Sequence, residues 1–173
     1  LARYDAGRGG AQRARTLMTE SDAAFEARDF VRSEALLAEA LALEPDDPDL
    51  LFRHGNALLQ LGRPDLAEQA LRASLAQRDS QLVWRIGAGE PYQAQLLLGI
   101  IASTRGAFDE AVARFETARA MNPWQTGAMV LLAATYEVLG RADLARSVVA
   151  AGLAVDPGDA RLRELDQRLK AAP

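Results

Sequence analysis

The sequence predicts an all-α fold built from repeated antiparallel helix hairpins, and both composition and internal repetition indicate it. Of the 173 residues, 49% are apolar but only 6% are aromatic, and alanine and leucine supply most of the apolar content. These two residues lose little side-chain freedom in a helix. Valine, isoleucine and tyrosine, which favour strands, are too sparse for a sheet-rich fold.

A recurring segment supplies the second observation. It occurs at residues 28–45, 62–79, 106–123 and 140–157, and each copy opens on a turn pair. A small residue follows five positions later, then a larger apolar residue after four more, then a small residue after three more. Three copies end on proline, and the other has Asp79 there. The patterned positions are Ser33, Leu37 and Ala40; Ala67, Leu71 and Ser74; Ala111, Phe115 and Ala118; and Ala145, Val149 and Gly152.

The half-unit before each turn is patterned as well. Gly55, Gly99 and Ala133 each stand seven residues before a turn glycine. Small residues at fixed positions let the two helices of one hairpin approach closely, while larger residues fill the seam to the next hairpin. The closing proline stops the second helix and redirects the chain. The repeat therefore predicts helix hairpins in series.

This pattern resembles the tetratricopeptide repeat, a helix–turn–helix unit of about 34 residues. The resemblance covers most of the chain and implies a right-handed superhelical α-solenoid of antiparallel helix hairpins. The first unit fits least well, as a terminal unit often does. The units fall at residues 14–47, 48–81, 92–125 and 126–159.

The segments outside the repeats have their own predictions. We expect residues 1–13 to be a flexible leader, because the first ten include three glycines and several charges. Residues 160–173 are predicted to form a capping helix with three leucines on one apolar stripe and Asp159 as its N-cap.

An insertion at residues 82–91 separates the second unit from the third. Leu82, Val83, Trp84 and Ile86 are too apolar for a solvated loop. One interpretation is that Trp84 fills a gap in the stack. The other is that it anchors a partner, since tryptophan is enriched at interface hot spots.

The sequence offers no catalytic or metal-binding cluster, so we expect neither an enzyme nor a cofactor. Without cysteine, disulfides and thiolate chemistry are excluded. His54 is the only histidine, too few for a zinc site, and we expect it to hydrogen-bond locally. The Gly87-Ala-Gly89 stretch is half of a phosphate-binding fingerprint and is better explained by a turn.

Charge and hydropathy argue against nucleic acid and against the membrane interior as partners of this chain. The formal net charge of -4 argues against nucleic acid, which requires a basic surface. Direct membrane insertion is not expected, because no apolar run approaches the roughly 20 residues that span a bilayer. The chain starts at Leu1 without a methionine, so we interpret it as a piece of a longer protein. Arginine far outnumbers lysine, which favours a bacterial source. The sequence does not distinguish a cytoplasmic from a periplasmic location. A missing N-terminal region that tethers the domain is one possible arrangement.

The resemblance also implies a binding surface, because the first helices of such hairpins line a concave groove that holds peptides or helices. In this chain the first half of the groove is polar and the second half is apolar, which suits an amphipathic helix or an apolar peptide. Alternatively, these residues pack on the chain's own leader or on another copy. The register places in the groove Arg15, Met18, Asp22, Phe25, Asp49, Phe52, Arg53, Asn56, Leu59, Gln93, Leu96, Ile100, Ser103, Val130, Ala134 and Glu137.

One specific ligand of the family is not expected here. Its best-known subset grips a C-terminal carboxylate with a Lys/Asn/Asn/Lys/Arg clamp. The corresponding positions are Met18, Asp22, Arg53, Gln93 and Leu97, and none of them matches. The sequence therefore predicts a different protein or peptide partner.

The functional prediction is a protein–protein interaction scaffold, or adaptor domain, within a larger bacterial protein that serves an assembly or secretion machine. Two alternatives stay open. One is a homo-oligomerising self-assembly module. The other is a regulatory domain attached to an enzyme outside this chain.

Overall fold

A computed structural model describes residues 2–80 and 91–171. The described residues contain helices and turns and no strand. The all-α class and the hairpin arrangement predicted from the sequence are confirmed. The helices are α1 (Ala2–Glu26), α2 (Phe30–Leu43), α3 (Pro48–Gln60), α4 (Pro64–Ser80), α5 (Pro91–Thr104), α6 (Phe108–Met121), α7 (Gly127–Val138), α8 (Ala142–Val155) and α9 (Ala160–Ala171).

The helices pair in chain order, and they form two compact units. The first unit, Leu1–Glu90, contains the hairpins α1–α2 and α3–α4, with α2 also packed on α3. The second unit, Pro91–Pro173, contains the hairpins α5–α6 and α7–α8, with α6 packed on α7. Helix α9 has no hairpin partner among the described residues and packs on α8 and α7.

Each hairpin turn contains one residue with left-handed backbone. Gly62, Gly106 and Gly140 have φ of 69°, 74° and 69°. At the last of these turns, the N–H of Arg141 donates to the carbonyl of Tyr136 over 2.8 Å, as in a Schellman motif. Arg28 occupies the equivalent place in the first hairpin with φ of 62°, which strains a residue that has a Cβ.

The small residues of the repeat lie where helices touch. A Cβ added to Gly99 would lie 2.4 Å from Cε1 of Phe115, and one added to Gly55 would lie 2.8 Å from Cγ of Leu71. These glycines let the two helices of a hairpin come together, as the pattern predicts. In the same way Gly152 faces Leu162, so a third glycine seats α9 on α8.

Each unit has a hydrophobic core along the seams between its helices. In the first unit, Leu17, Leu37 and Leu50 are buried together between α1, α2 and α3. In the second unit, Phe115 and Leu132 belong to a larger cluster of buried residues. The three leucines of α9 join that larger cluster, so α9 covers an apolar face of the second unit.

Two segments lie outside the repeats, the N-terminal residues 1–13 and the insertion at residues 82–91. Helix α1 begins at Ala2, so residues 2–13 are helical, in contrast to the flexible leader expected there. No proline interrupts this segment, and its glycines weaken a helix without forbidding it. Of the insertion, only Pro91, the first residue of α5, is described. Trp84 lies outside the described residues, and both interpretations of it stay predictions.

Candidate partner-binding grooves

The groove residues predicted for the second unit lie on α5 and α7, the first helices of its hairpins. We define the second groove by the seven side chains placed there from the register. Of these, Leu96, Ile100, Val130 and Ala134 are half-buried and pack against the core cluster of the unit. The side chains therefore belong partly to the core and partly to the surface. The seven are Gln93, Leu96, Ile100 and Ser103 of α5 with Val130, Ala134 and Glu137 of α7.

A pocket opens in this groove between α5 and α7, and we call it the aliphatic pocket. Its volume is about 190 Å³. Three of the predicted groove residues, Ile100, Ser103 and Ala134, meet there. The full lining is Ile100, Ser103, Thr104, Phe115, Leu131, Ala134, Thr135 and Val138.

The lining of the aliphatic pocket is less polar than its residue types suggest. The Thr104 hydroxyl donates to the carbonyl of Ile101 over 2.8 Å, and the Thr135 hydroxyl donates to the carbonyl of Leu131 over 2.7 Å. Both hydroxyls are thus satisfied within their own helices, as threonine often is in a helix. The remaining surface is mostly hydrocarbon.

The hairpin seam determines the depth of this pocket. Phe115 comes from α6, the second helix of the hairpin, and is only 1% exposed. Its ring lies against Gly99, which has no side chain to push the ring away. Phe115 therefore forms the inner end of the pocket, while Val138, 64% exposed, stands at its mouth.

A second pocket of about 410 Å³ lies near the N-terminal ends of α5, α7 and α9, and we call it the Trp124 pocket. Trp124 is 79% exposed on the turn between α6 and α7. The sequence reasoning singled out Trp84 and missed Trp124. The sequence did contain a signal for its exposure. Trp124 follows Pro123, the last residue of the repeat segment, and the repeat has no core position there. The lining is Tyr92, Gln93, Leu96, Trp124, Gln125, Thr126, Gly127, Asp156 and Arg161.

A buried carboxylate fixes one side of the Trp124 pocket. Asp159 accepts from the Arg161 guanidinium over 3.0 Å and from the Thr126 hydroxyl over 2.6 Å. It also accepts from the backbone N–H groups of Arg161 and Leu162, which confirms its predicted role as N-cap of α9. The Arg161 and Thr126 hydrogen bonds hold the pKa of Asp159 well below its usual range. Asp159 thus joins the start of α9 to the start of α7.

Helix α9 also neutralises the only ionisable side chain of the second groove. Arg168 donates to both carboxylate oxygens of Glu137, over 2.8 and 2.5 Å. This bidentate pairing raises the pKa of Arg168. Because Glu137 is paired in this way, the groove presents no uncompensated charge from its seven residues.

The predicted groove residues of the first unit are less available. Phe52 is buried at 7% exposure, and Met18 packs partly on the core of that unit. Arg53 donates to Asp22, so the only cation at the five clamp positions is already paired within the chain. Asn56 and Leu59 are half-buried. The groove positions of the first unit are therefore largely occupied by contacts within the chain.

Catalytic features are not evident in the described part of the chain. His54 lies 3.3 Å from the Glu34 carboxylate, between α3 and α2, in line with the local hydrogen bond expected of it. Within residues 2–80 and 91–171, no group of three or more potential ligands is arranged for a metal ion. None of the described helices is both long and apolar enough to cross a membrane.

The hairpins and their glycine seams define a helical-repeat protein. A model of the tetratricopeptide repeat family matches residues 24–88 and 103–169. The chain therefore belongs to the tetratricopeptide repeat family. This fold is a non-enzymatic protein-interaction module.

Solved structures with the same fold share little sequence with this chain. MamA from Desulfovibrio magneticus RS-1 is 18% identical, with a TM-score of 0.76 over 91% of this chain and 84% of its own. YrrB, described as having an unusual peptide-binding site, is 16% identical, with a TM-score of 0.72 over 89% and 74%. The first repeat domain of Spaghetti (RPAP3), bound to an HSP90 peptide, is 17% identical, with a TM-score of 0.65 over 75% and 95%. No curated protein sequence matches significantly.

Proposed function

We propose that this domain is an adaptor that binds an apolar peptide segment of a partner protein in the second groove. The observation that carries the proposal is the aliphatic pocket, which opens between α5 and α7 in a groove without uncompensated charge. Apolar surface of this kind on a folded domain often marks an interaction site. YrrB and Spaghetti support the proposal by analogy, since both are described with peptide sites.

The proposal extends to the context in which the domain works. We place it in a larger bacterial protein that serves an assembly or secretion machine, where an adaptor holds one component near another. Attachment to an enzyme outside this chain is compatible with the same groove. In that arrangement the peptide would regulate the enzyme, and the domain itself would contribute no catalytic group.

Homo-oligomerisation is the second candidate, and one observation favours it. Trp124 is 79% exposed and Met121, at the end of α6, is 49% exposed. Exposed aromatic and methionine side chains are enriched at protein interfaces. Light scattering over a range of protein concentrations measures the molar mass, which rises with concentration for a self-associating chain and stays constant for a monomer.

A charge placed at the mouth of the pocket tests the peptide proposal. Peptides are selected from a random 12-residue phage library on the folded domain, and their affinities are measured by fluorescence anisotropy. Val138→Lys should weaken binding at least about tenfold, or about 1.4 kcal/mol, because a lysine would have to be desolvated against an apolar ligand. Its stability should hold, since a cation near a helix C-terminus is favourable.

The matched control is Val31→Lys in the first unit. Val31 is 68% exposed, close to the 64% of Val138, and it also lies on a helix. Binding should be unchanged in this variant. If no peptide is recovered, or if both lysine variants bind as the parent does, the second groove is not the peptide site.

A further inference from the structure

We infer that the aliphatic pocket takes one leucine- or methionine-sized side chain of the bound peptide, flanked by uncharged residues. This inference rests on the proposed function and specifies the chemistry of its ligand. The pocket is the part of the groove that distinguishes one peptide from another.

The volume of the pocket sets the size of its occupant. An enclosed apolar cavity of about 150 Å³ accommodates a benzene-sized group. The aliphatic pocket has about 190 Å³ and is open on one side, so it suits one large side chain of a peptide that lies across it. Alanine would leave most of that volume unfilled, and its contacts would be lost.

The lining sets the polarity of the occupant. The hydroxyls of Thr104 and Thr135 donate to the carbonyls of their own helices, and neither is left to donate to a ligand. Ile100, Phe115 and Leu131 present only carbon and hydrogen. A lysine ammonium would therefore lose its water and find only the hydroxyl oxygens of Ser103, Thr104 and Thr135 as acceptors, which do not replace its hydration.

The charge of the surrounding groove sets the neighbours of the occupant. Glu137 is held by two hydrogen bonds from Arg168, and the other six groove side chains are uncharged. A charged residue next to the anchor would meet no unpaired opposite charge among these seven side chains, whereas an uncharged residue complements them. The pocket is also continuous with the groove, since Ile100, Ser103 and Ala134 belong to both.

Filling the pocket from within tests the inference. Ala134→Leu places a leucine in the pocket at a helical position, where leucine and alanine have similar propensities. Ala134→Met is a more adaptable filler, for use if the leucine variant does not fold. Ala150→Leu is the matched control, because Ala150 is exposed on α8 and lies outside the pocket lining.

The probes are peptides from the phage selection, each synthesised with its anchor position as leucine, methionine, alanine, serine or lysine. We expect the selected peptides to share one leucine or methionine. Replacing it by alanine should weaken binding to the parent about tenfold or more, and binding to the filled variants less than about twofold, which is the coupling expected of two groups in contact. The control variant should bind as the parent does.

The failures of the two proposals are distinguishable. If the filled variants bind the peptides as tightly as the parent, while Val138→Lys still weakens binding, the anchor inference is wrong and the peptide groove stands. The anchor inference is also wrong if the selected peptides share no leucine or methionine position. If the selection yields no peptide, the proposed function fails together with the inference.

Discussion

Adding one methyl group at Gly99 should destabilise the second unit, although the same change stabilises most helices. The new Cβ would lie 2.4, 2.7 and 2.9 Å from three ring carbons of Phe115. The ring is 1% exposed, so it has little room to retreat. We take overpacking at about 2–3 kcal/mol, the upper part of its usual range. Alanine regains about 1 kcal/mol of helix propensity relative to glycine.

The net loss for Gly99→Ala is therefore about 1–2 kcal/mol, or a decrease in Tm of about 2–8 °C for a chain of this size. Gly10→Ala in α1 is the matched control, because nothing lies within 4 Å of its added Cβ, and it should not lower the Tm. Thermal unfolding followed by circular dichroism measures both variants. An alanine at position 99 that leaves the Tm unchanged or raises it would refute the seam geometry. A displaced ring would also intrude on the aliphatic pocket, so peptide affinity should fall in the same variant.

Two further predictions concern α9. The pKa of Asp159 is lowered by folding, so its stabilisation is fully present above the unfolded pKa of about 4 and is lost progressively as the pH falls from there through the lower folded pKa. Asp159→Asn should thus lower the urea midpoint at pH 7, and the difference from the parent should shrink at pH 3; an equal difference at both pH values would show that the charge is irrelevant. Deleting residues 160–173 removes three buried leucines from the core, so the second unit should melt earlier and aggregate, as seen by light scattering. A truncated chain that stays monomeric with an unchanged melt would contradict the capping role.

Repetition made much of the fold predictable. The same small and large residues recur at fixed spacings, so the close approach of α5 and α6 at Gly99 was predicted from the register, whereas its contact with Phe115 was not, because the larger residues were assigned to the seam with the next hairpin. The left-handed turn residues were also placed by the repeat, since Arg28 aligns with Gly62, Gly106 and Gly140. Because a repeat contains the same contact several times, the residues that make it can be identified by comparing the copies.

Contacts that occur once were not predictable in this way. The pairing of Glu137 with Arg168 joins residues 31 positions apart, and that of Thr126 with Asp159 joins residues 33 apart. Both depend on how α9 seats on its neighbours and on side-chain rotamers, which no repeat encodes. The register placed Ile100 and Val130 toward the groove, but it does not show that each also packs on the core.

The double use of Phe115 bears on how such a domain changes its ligand over evolution. The ring that ends the aliphatic pocket also closes the hairpin seam, so a substitution there alters stability together with specificity. Ala134, Ser103 and Val138 line the same pocket without a comparable share of the seam. Related domains that have acquired new partners are therefore expected to differ first at Ala134, Ser103 and Val138 and to retain Gly99 and the ring of Phe115.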